Sequence, residues 1–227
     1  MSVNKLPHGA FQWTLSFDLE QLQVEPFLAE EGLELHANLR YAVKKRQIEF
    51  LCGRLCAKSC MESLGYQNPP FIPPGEDRAP IWPVELVGSI SHTDRVATAI
   101  VGPASQIEAI GVDIERMIKE ATPQMIKHIC CDVEELDEVQ DVQRISREEA
   151  LTLIFSAKES LYKAIYPKLR RFYGFQAARL RAIGPHLMRI MLVTDLSDAF
   201  EEGTMWDLQI RMPSPDLMET IVLQPKG

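Results

Sequence analysis

Two short acidic runs in this chain have the residue types and spacing to hold a divalent cation against a phosphate. The first is Gly111-Val112-Asp113-Ile114-Glu115, and the second is Phe155-Ser156-Ala157-Lys158-Glu159-Ser160-Leu161-Tyr162-Lys163. Alternate residues of an extended strand point the same way, so Asp113 and Glu115 share one face while Ile114 takes the other. Such a pair suits Mg²⁺, which takes one or two carboxylates together with phosphate oxygens and water. Glu159 and Lys163 lie one helical turn apart with Ser156 nearby, so a carboxylate and an ammonium can address one phosphate. Neither run decides alone. An Asp-x-Glu pair is common on solvated strands, a Glu/Lys pair four apart is an ordinary surface salt bridge, and Lys158 reads equally well as solvent-facing.

Further anion chemistry is spread through the first half. Ser89-Ile90-Ser91-His92-Thr93 ends a predicted strand and offers hydroxyls, backbone N–H groups and an imidazole. Arg46, Arg54 and Arg78 can add charge-assisted bonds to phosphate oxygens. Between Arg40 and Lys58 there are six Lys or Arg against one acid, Glu49, and from Lys158 to Arg189 there are eight against one, Glu159. The acids from Asp132 to Asp141 read mostly as a solvated helix face. Cys52, Cys56 and Cys60 recur every fourth residue and fail zinc spacing even with Cys130 and Cys131, so they are expected to be buried thiols.

The elements that must position these residues follow from the apolar pattern. Residues 37–64 read as a long amphipathic helix on Leu39, Val43, Leu51, Leu55 and Leu64, closed by Gly65. A proline-rich loop over 68–83 delivers Arg78 before strands at 87–91, 96–101 and 108–115, which are expected to form one small antiparallel sheet. Thr122-Pro123 suits a helix start, Asp132 with Glu135 a capping box, and Ser146 with Glu149 a clearer one opening a helix to Tyr166, stopped by Pro167. Strands are predicted at 178–183, 187–193, 206–212 and 220–223. The order implies an α+β fold, read as two halves, 1–105 and 106–227.

With 227 residues, 46% of them hydrophobic, the chain can bury a core, and its net charge of −8 argues against a general nucleic-acid partner. No segment approaches the roughly 20 apolar residues of a membrane span, and Pro7, His8 and Gly9 interrupt any signal-like run, so a cytoplasmic protein is expected.

Taken in order, Arg46…Gly53-Arg54, Arg78-Ala79-Pro80-Ile81-Trp82-Pro83, Gly88-Ser89-Ile90-Ser91-His92 and the two acidic runs resemble the 4′-phosphopantetheinyl transferase superfamily. Within the group typified by the surfactin-synthetase activator, the likeness is to the enterobactin synthase component D type. It covers residues 40–165 and rests on five motifs in sequence order. The resemblance implies a monomer of two similar α+β halves related by a pseudo-twofold, with coenzyme A and Mg²⁺ (or Mn²⁺) in a cleft between them. It implies transfer of the 4′-phosphopantetheine arm of coenzyme A to a serine of an apo acyl or peptidyl carrier protein, with adenosine 3′,5′-bisphosphate released. The resemblance leaves siderophore, other nonribosomal peptide, polyketide and fatty-acid synthesis all open as the pathway served, with siderophore (enterobactin-type) nonribosomal peptide synthesis the nearest likeness. On the same likeness Asp113, Glu115 and Glu159 ligate the metal, and Lys163 and Lys158 meet the pyrophosphate. Arg46, Arg54, Arg78, Ser91 and His92 contact the nucleotide end, the 3′-phosphate above all. Glu134 matches a carboxylate acting as base on the incoming serine, a role also open to Glu159 or a metal-bound water. From charge alone, Lys168, Arg170 and Arg171 are candidates for docking an acidic carrier protein.

Two other classes fit some of these residues. A Mg²⁺-dependent nuclease can use the same carboxylates, but it leaves the Ser-His and Arg-Ala-Pro segments without work. A non-catalytic nucleotide- or carrier-binding module fits less well, because Asp113, Glu115, Glu159 and Lys163 are all retained.

Overall fold

The computed structural model describes residues 2–31, 39–184 and 187–227. The chain divides into two compact units, Met1–Ile110 with Pro225–Gly227, and Gly111–Gln224. The architecture is α+β, with five α-helices and two sheets among the described residues.

In the first unit, β1 (Ser2–Lys5), β2 (Phe11–Ser16), β3 (Leu86–His92) and β4 (Val96–Pro103) form an antiparallel sheet in the order β1-β2-β4-β3. Helix α1 (Val24–Glu31) precedes α2 (Lys44–Ser63). Central strand β4 is an almost unbroken apolar run, as burial on both faces demands. Its small residues Ala97 and Ala99 leave room for α2, whose Cys56 and Cys60 thiols donate to their carbonyls at 3.5 and 3.3 Å. Cys52, Cys56 and Cys60 are all buried free thiols, as their spacing predicts.

The start predicted for α2, residues 37 and 38, lies outside the described residues. Leu39 to Val43 form a turn ahead of the helix, and Val43 is exposed. Gly65 closes the helix at φ +99°, with its N–H on Glu62 O and that of Tyr66 on Met61 O, an arrangement whose positive φ suits glycine. The proline-rich loop is held by a narrow bridge between Pro74 and Pro80, and Arg78 at its tip has a φ of +69°.

The expected three-stranded sheet is corrected. β3 and β4 pair, but β4 gives its other edge to β2, in register from Phe11↔Val101 to Ser16↔Val96. That leaves no edge of β4 for β5 (Ile107–Arg116), which borders the second sheet instead, in the order β5-β9-β8-β7-β6. This sheet contains β6 (Ala178–Gly184), β7 (Leu187–Leu192), β8 (Met205–Ser214) and β9 (Leu217–Pro225), close to the predicted strands.

The second unit also holds α3 (Pro123–Ile129), α4 (Val133–Gln143) and α5 (Arg147–Leu169). Thr122 caps α3 and Ser146 with Glu149 forms a complete capping box on α5. Asp132 caps α4 from one side only, because the Glu135 carboxylate turns inward rather than back to the cap. Pro167 does not stop α5. In the last turn its missing N–H costs one bond, and the helix ends at Arg170, in the left-handed region with its N–H on Tyr166 O.

Candidate active site

The acidic motifs meet within the second unit where β5 crosses α5. Gly111 makes the approach possible: a Cβ there would stand 1.8 Å from the Ser160 carbonyl oxygen. The strand then carries Asp113, 2% exposed, and half-buried Glu115 past the turn of α5 that bears Glu159 and Lys163. Lys163 Nζ donates to Asp113 Oδ1 at 2.7 Å and to Val112 O at 3.2 Å. Burial, then the Asp113 carboxylate, push the Glu115 carboxyl up to about 7, with Lys163 opposing and Glu159 adding to the rise. Glu159 is likewise raised, by burial first, against the pull of Lys163 and with a push from Asp113. Three carboxylates and one ammonium therefore share one electrostatic neighbourhood.

Among the described residues no three His, Cys, Asp or Glu side chains already stand in a chelating arrangement. The donor set nevertheless fits a hard cation. All three candidates are oxygen ligands, and added positive charge would relieve the repulsion that raises Glu115 and Glu159.

The other residues of the second motif turn inward. Ser156 is buried and shares a hydrogen bond with Thr220 at 2.9 Å, which takes it away from the expected anion face. Lys158 is not solvent-facing: at 2% exposure its Nζ donates to Glu135 Oε2 and to Ile129 O, both at 2.9 Å. Glu135, 0% exposed, also accepts from Cys131 N and Leu180 N, both at 2.7 Å. Glu135 is thus the buried exception among the 132–141 acids, which otherwise form the mostly solvated face expected. The adjacent Glu134 is exposed in the first turn of α4. Sequence spacing could have flagged Glu135, which shares one face of α4 with buried Val139, but a buried carboxylate needs a partner, and Lys158 is 23 residues away.

A basic pocket is built within the first unit. Gly53 lets α2 press on β3, since a Cβ there would stand 2.8 Å from Ile90 Cγ2. Beside this contact lies a cavity of about 620 Å³ lined in part by Arg46, Arg54, Arg78 and His92, with Glu76 as an acid in the same wall and Phe50 and Ile90 as apolar wall. Arg54 is fixed: its Nε donates to Ile72 O at 2.6 Å and its guanidinium lies 4.2 Å from the centre of the Phe50 ring. Burial first, then Arg46, lower its pKa to about 10. Arg46 Nη1 lies 3.0 Å from His92 Nε2. Ser91 is buried in β3 opposite Thr98 rather than lining this cavity. Lys168, Arg170 and Arg171 are exposed around the end of α5, with Arg171 Nη2 donating to Leu196 O.

Comparison with known proteins assigns a class to the chain. Residues 34–102 match the 4′-phosphopantetheinyl transferase N-terminal domain, and residues 109–199 match the 4′-phosphopantetheinyl transferase superfamily. The chain belongs to the 4′-phosphopantetheinyl transferase superfamily and is a transferase of that activity. Among its relatives is enterobactin synthase component D of Salmonella typhi, 32% identical over 169 residues, which are 74% of this chain and 69% of the relative. The component of that name from Escherichia coli O157:H7 is 39% identical over 129 residues, 57% of this chain and 59% of the relative. The 4′-phosphopantetheinyl transferase Npt of Nocardia iowensis is 32% identical over 177 residues, 77% of this chain and 73% of the relative. Membership decides for the transferase over a nuclease or a passive binding module.

Proposed function

We propose that the protein moves the 4′-phosphopantetheine arm of coenzyme A to a serine of an apo acyl or peptidyl carrier protein, using the first unit for the nucleotide and the second for the pyrophosphate. The observation that carries this reading is the gathering of Asp113, Glu115 and Glu159 around Lys163. These carboxylates would hold Mg²⁺, or Mn²⁺ with the same oxygen ligands. When bound, the metal supplies positive charge for the pyrophosphate as negative charge grows on the leaving nucleotide.

Lys163 orients Asp113 from one side and, a quarter exposed, presents its ammonium toward an entering phosphate. Lys158 would reach a ligand only by giving up Glu135. Arg46, Arg78 and His92 line the basic pocket and would take the 3′-phosphate, with Arg54 fixed behind them and Ser91 in the adjoining strand. Glu134 is exposed and would take the serine proton. Lys168, Arg170 and Arg171 offer positive charge to an acidic carrier surface.

No helix among the described residues is long and apolar enough to cross a membrane. A cytoplasmic monomer is the setting proposed, in keeping with five free thiols. The relatives named as enterobactin synthase components favour carriers of siderophore-forming nonribosomal peptide synthesis over other carriers.

The test is intact-protein mass spectrometry of apo carrier proteins of several kinds, incubated with this protein, coenzyme A and Mg²⁺. A gain of one phosphopantetheine arm supports the reading. Binding of coenzyme A with no gain on any carrier would refute it.

A further inference from the structure

His92 is held from both sides, and only one side faces the basic pocket. Its Nε2 is 3.0 Å from Arg46 Nη1. A guanidinium has donors only, so in this arrangement Nε2 accepts and the ring proton sits on Nδ1. Nδ1 in turn faces Glu49 Oε2 at 3.9 Å. Glu49 does not line the cavity: it lies on α2 one turn beyond Arg46 and is 7% exposed. A carboxylate this buried is disfavoured by desolvation, which raises its pKa, as does Asp94, while Lys45 and Arg46 pull it down. Lys45 Nζ stands 3.7 Å from the other oxygen, Oε1, leaving Oε2 toward the imidazole.

An anion in the pocket would draw Arg46 onto itself and take the acceptor away from Arg46. Nε2 can then meet the anion favourably only as a donor, which makes His92 doubly protonated. Nδ1 already stands 3.9 Å from a carboxylate oxygen, so the charge has an ion-pair partner on the buried side. We propose that Glu49 is a positioning residue of the basic pocket, holding His92 by Nδ1 so that Nε2 donates to a bound phosphate monoester. The proposal rests on the reading of that pocket as the coenzyme A nucleotide site.

The experiment is calorimetric titration of the full chain with coenzyme A and with 3′-dephospho-coenzyme A. The variants are Glu49→Gln, Glu49→Asp, His92→Ala and the double variant E49Q/H92A, each checked by thermal denaturation. Glu49→Gln keeps the shape and removes the charge, and it is expected to weaken coenzyme A about 10-fold by withdrawing the charge partner of the imidazolium. It should leave 3′-dephospho-coenzyme A within about 2-fold, add nothing on the His92→Ala background, and be partly rescued by Glu49→Asp. Equal weakening of both ligands, or a full Glu49→Gln effect without His92, overturns the proposal. So does a weakening by His92→Ala with none by Glu49→Gln. Should Glu49→Gln not fold, Glu49→Met, which also removes the charge at similar length, takes its place in the same comparison. If His92→Ala fails to discriminate between the two ligands, the assignment of the pocket to the 3′-phosphate fails, and this proposal with it.

Discussion

In the first unit Arg46, Arg54, Arg78 and His92 line an open cavity, whereas in the second Asp113, Glu115, Glu159 and Lys163 press on one another against a buried strand. The cations are tolerated in the cavity because Arg46 and Arg78 are long and reach water, because Glu76 shares the wall, and because Arg54 is tied to Ile72 O and covered by Phe50. The carboxylates have no such freedom. Burial and mutual repulsion push Glu115 up to about 7, and a single ammonium offsets three acids. Both sites nevertheless depend on a glycine where a helix meets a strand, Gly53 on β3 and Gly111 on α5. Charge on separate arms should therefore lose its effect in steps as arms are removed, while charge packed into one group should fail together when one member goes.

Asp113→Ala should break that contrast most sharply if it fails. It removes a metal ligand and the partner of Lys163 together, so transfer should fall by about 10³-fold or more with the fold retained, measured as single-turnover carrier modification. A loss of only a few-fold would make the acidic group as graded as the pocket. Lys158→Met should next cost about 3–5 kcal/mol of stability in urea unfolding, because it leaves Glu135 charged, buried and without its cation. The double change E135M/K158M should recover most of it, and failure to recover would show that the pair does more than neutralise itself.

Gly111→Ala comes third, at about 1–3 kcal/mol, since its Cβ meets a backbone carbonyl that cannot turn aside. Gly53→Ala should cost less, because its Cβ would meet one side-chain atom, Ile90 Cγ2 at 2.8 Å, rather than backbone at 1.8 Å; thermal denaturation of both ranks them. The smallest effect expected is that of Arg78→Ala. It should raise KM for coenzyme A about 10-fold with kcat little changed, as befits one of several cations on an open wall.

Much of this contrast was legible in the chain. Period-two alternation placed Asp113 and Glu115 on β5, one helical turn joined Glu159 to Lys163, and the Ser146/Glu149 box located the helix that carries them. The four basic residues were named from motifs, and their common cavity needed the fold, because Arg46 and His92 are 46 residues apart. The strands of residues 2–16 were not foreseen: β1 is exposed along its whole length and carries no apolar alternation to betray it. Membership of β5 in the second sheet was equally hidden, since the second edge of β4 is taken by β2, which lies roughly 80 residues earlier in the chain and carried no strand prediction. Glu135 and Lys158 misled in the same way. A charged residue reads as solvated until a partner far along the chain is brought to it.

The most direct measurement of the account is electron paramagnetic resonance of Mn²⁺ titrated into the wild-type chain, Asp113→Ala and Glu159→Gln, with coenzyme A present. A saturable site in the wild type, weakened at least tenfold in both variants alongside the loss of transfer, is the predicted result. Equal Mn²⁺ binding in all three proteins, or full transfer activity in Asp113→Ala, would contradict the assignment of the acidic group as the metal centre.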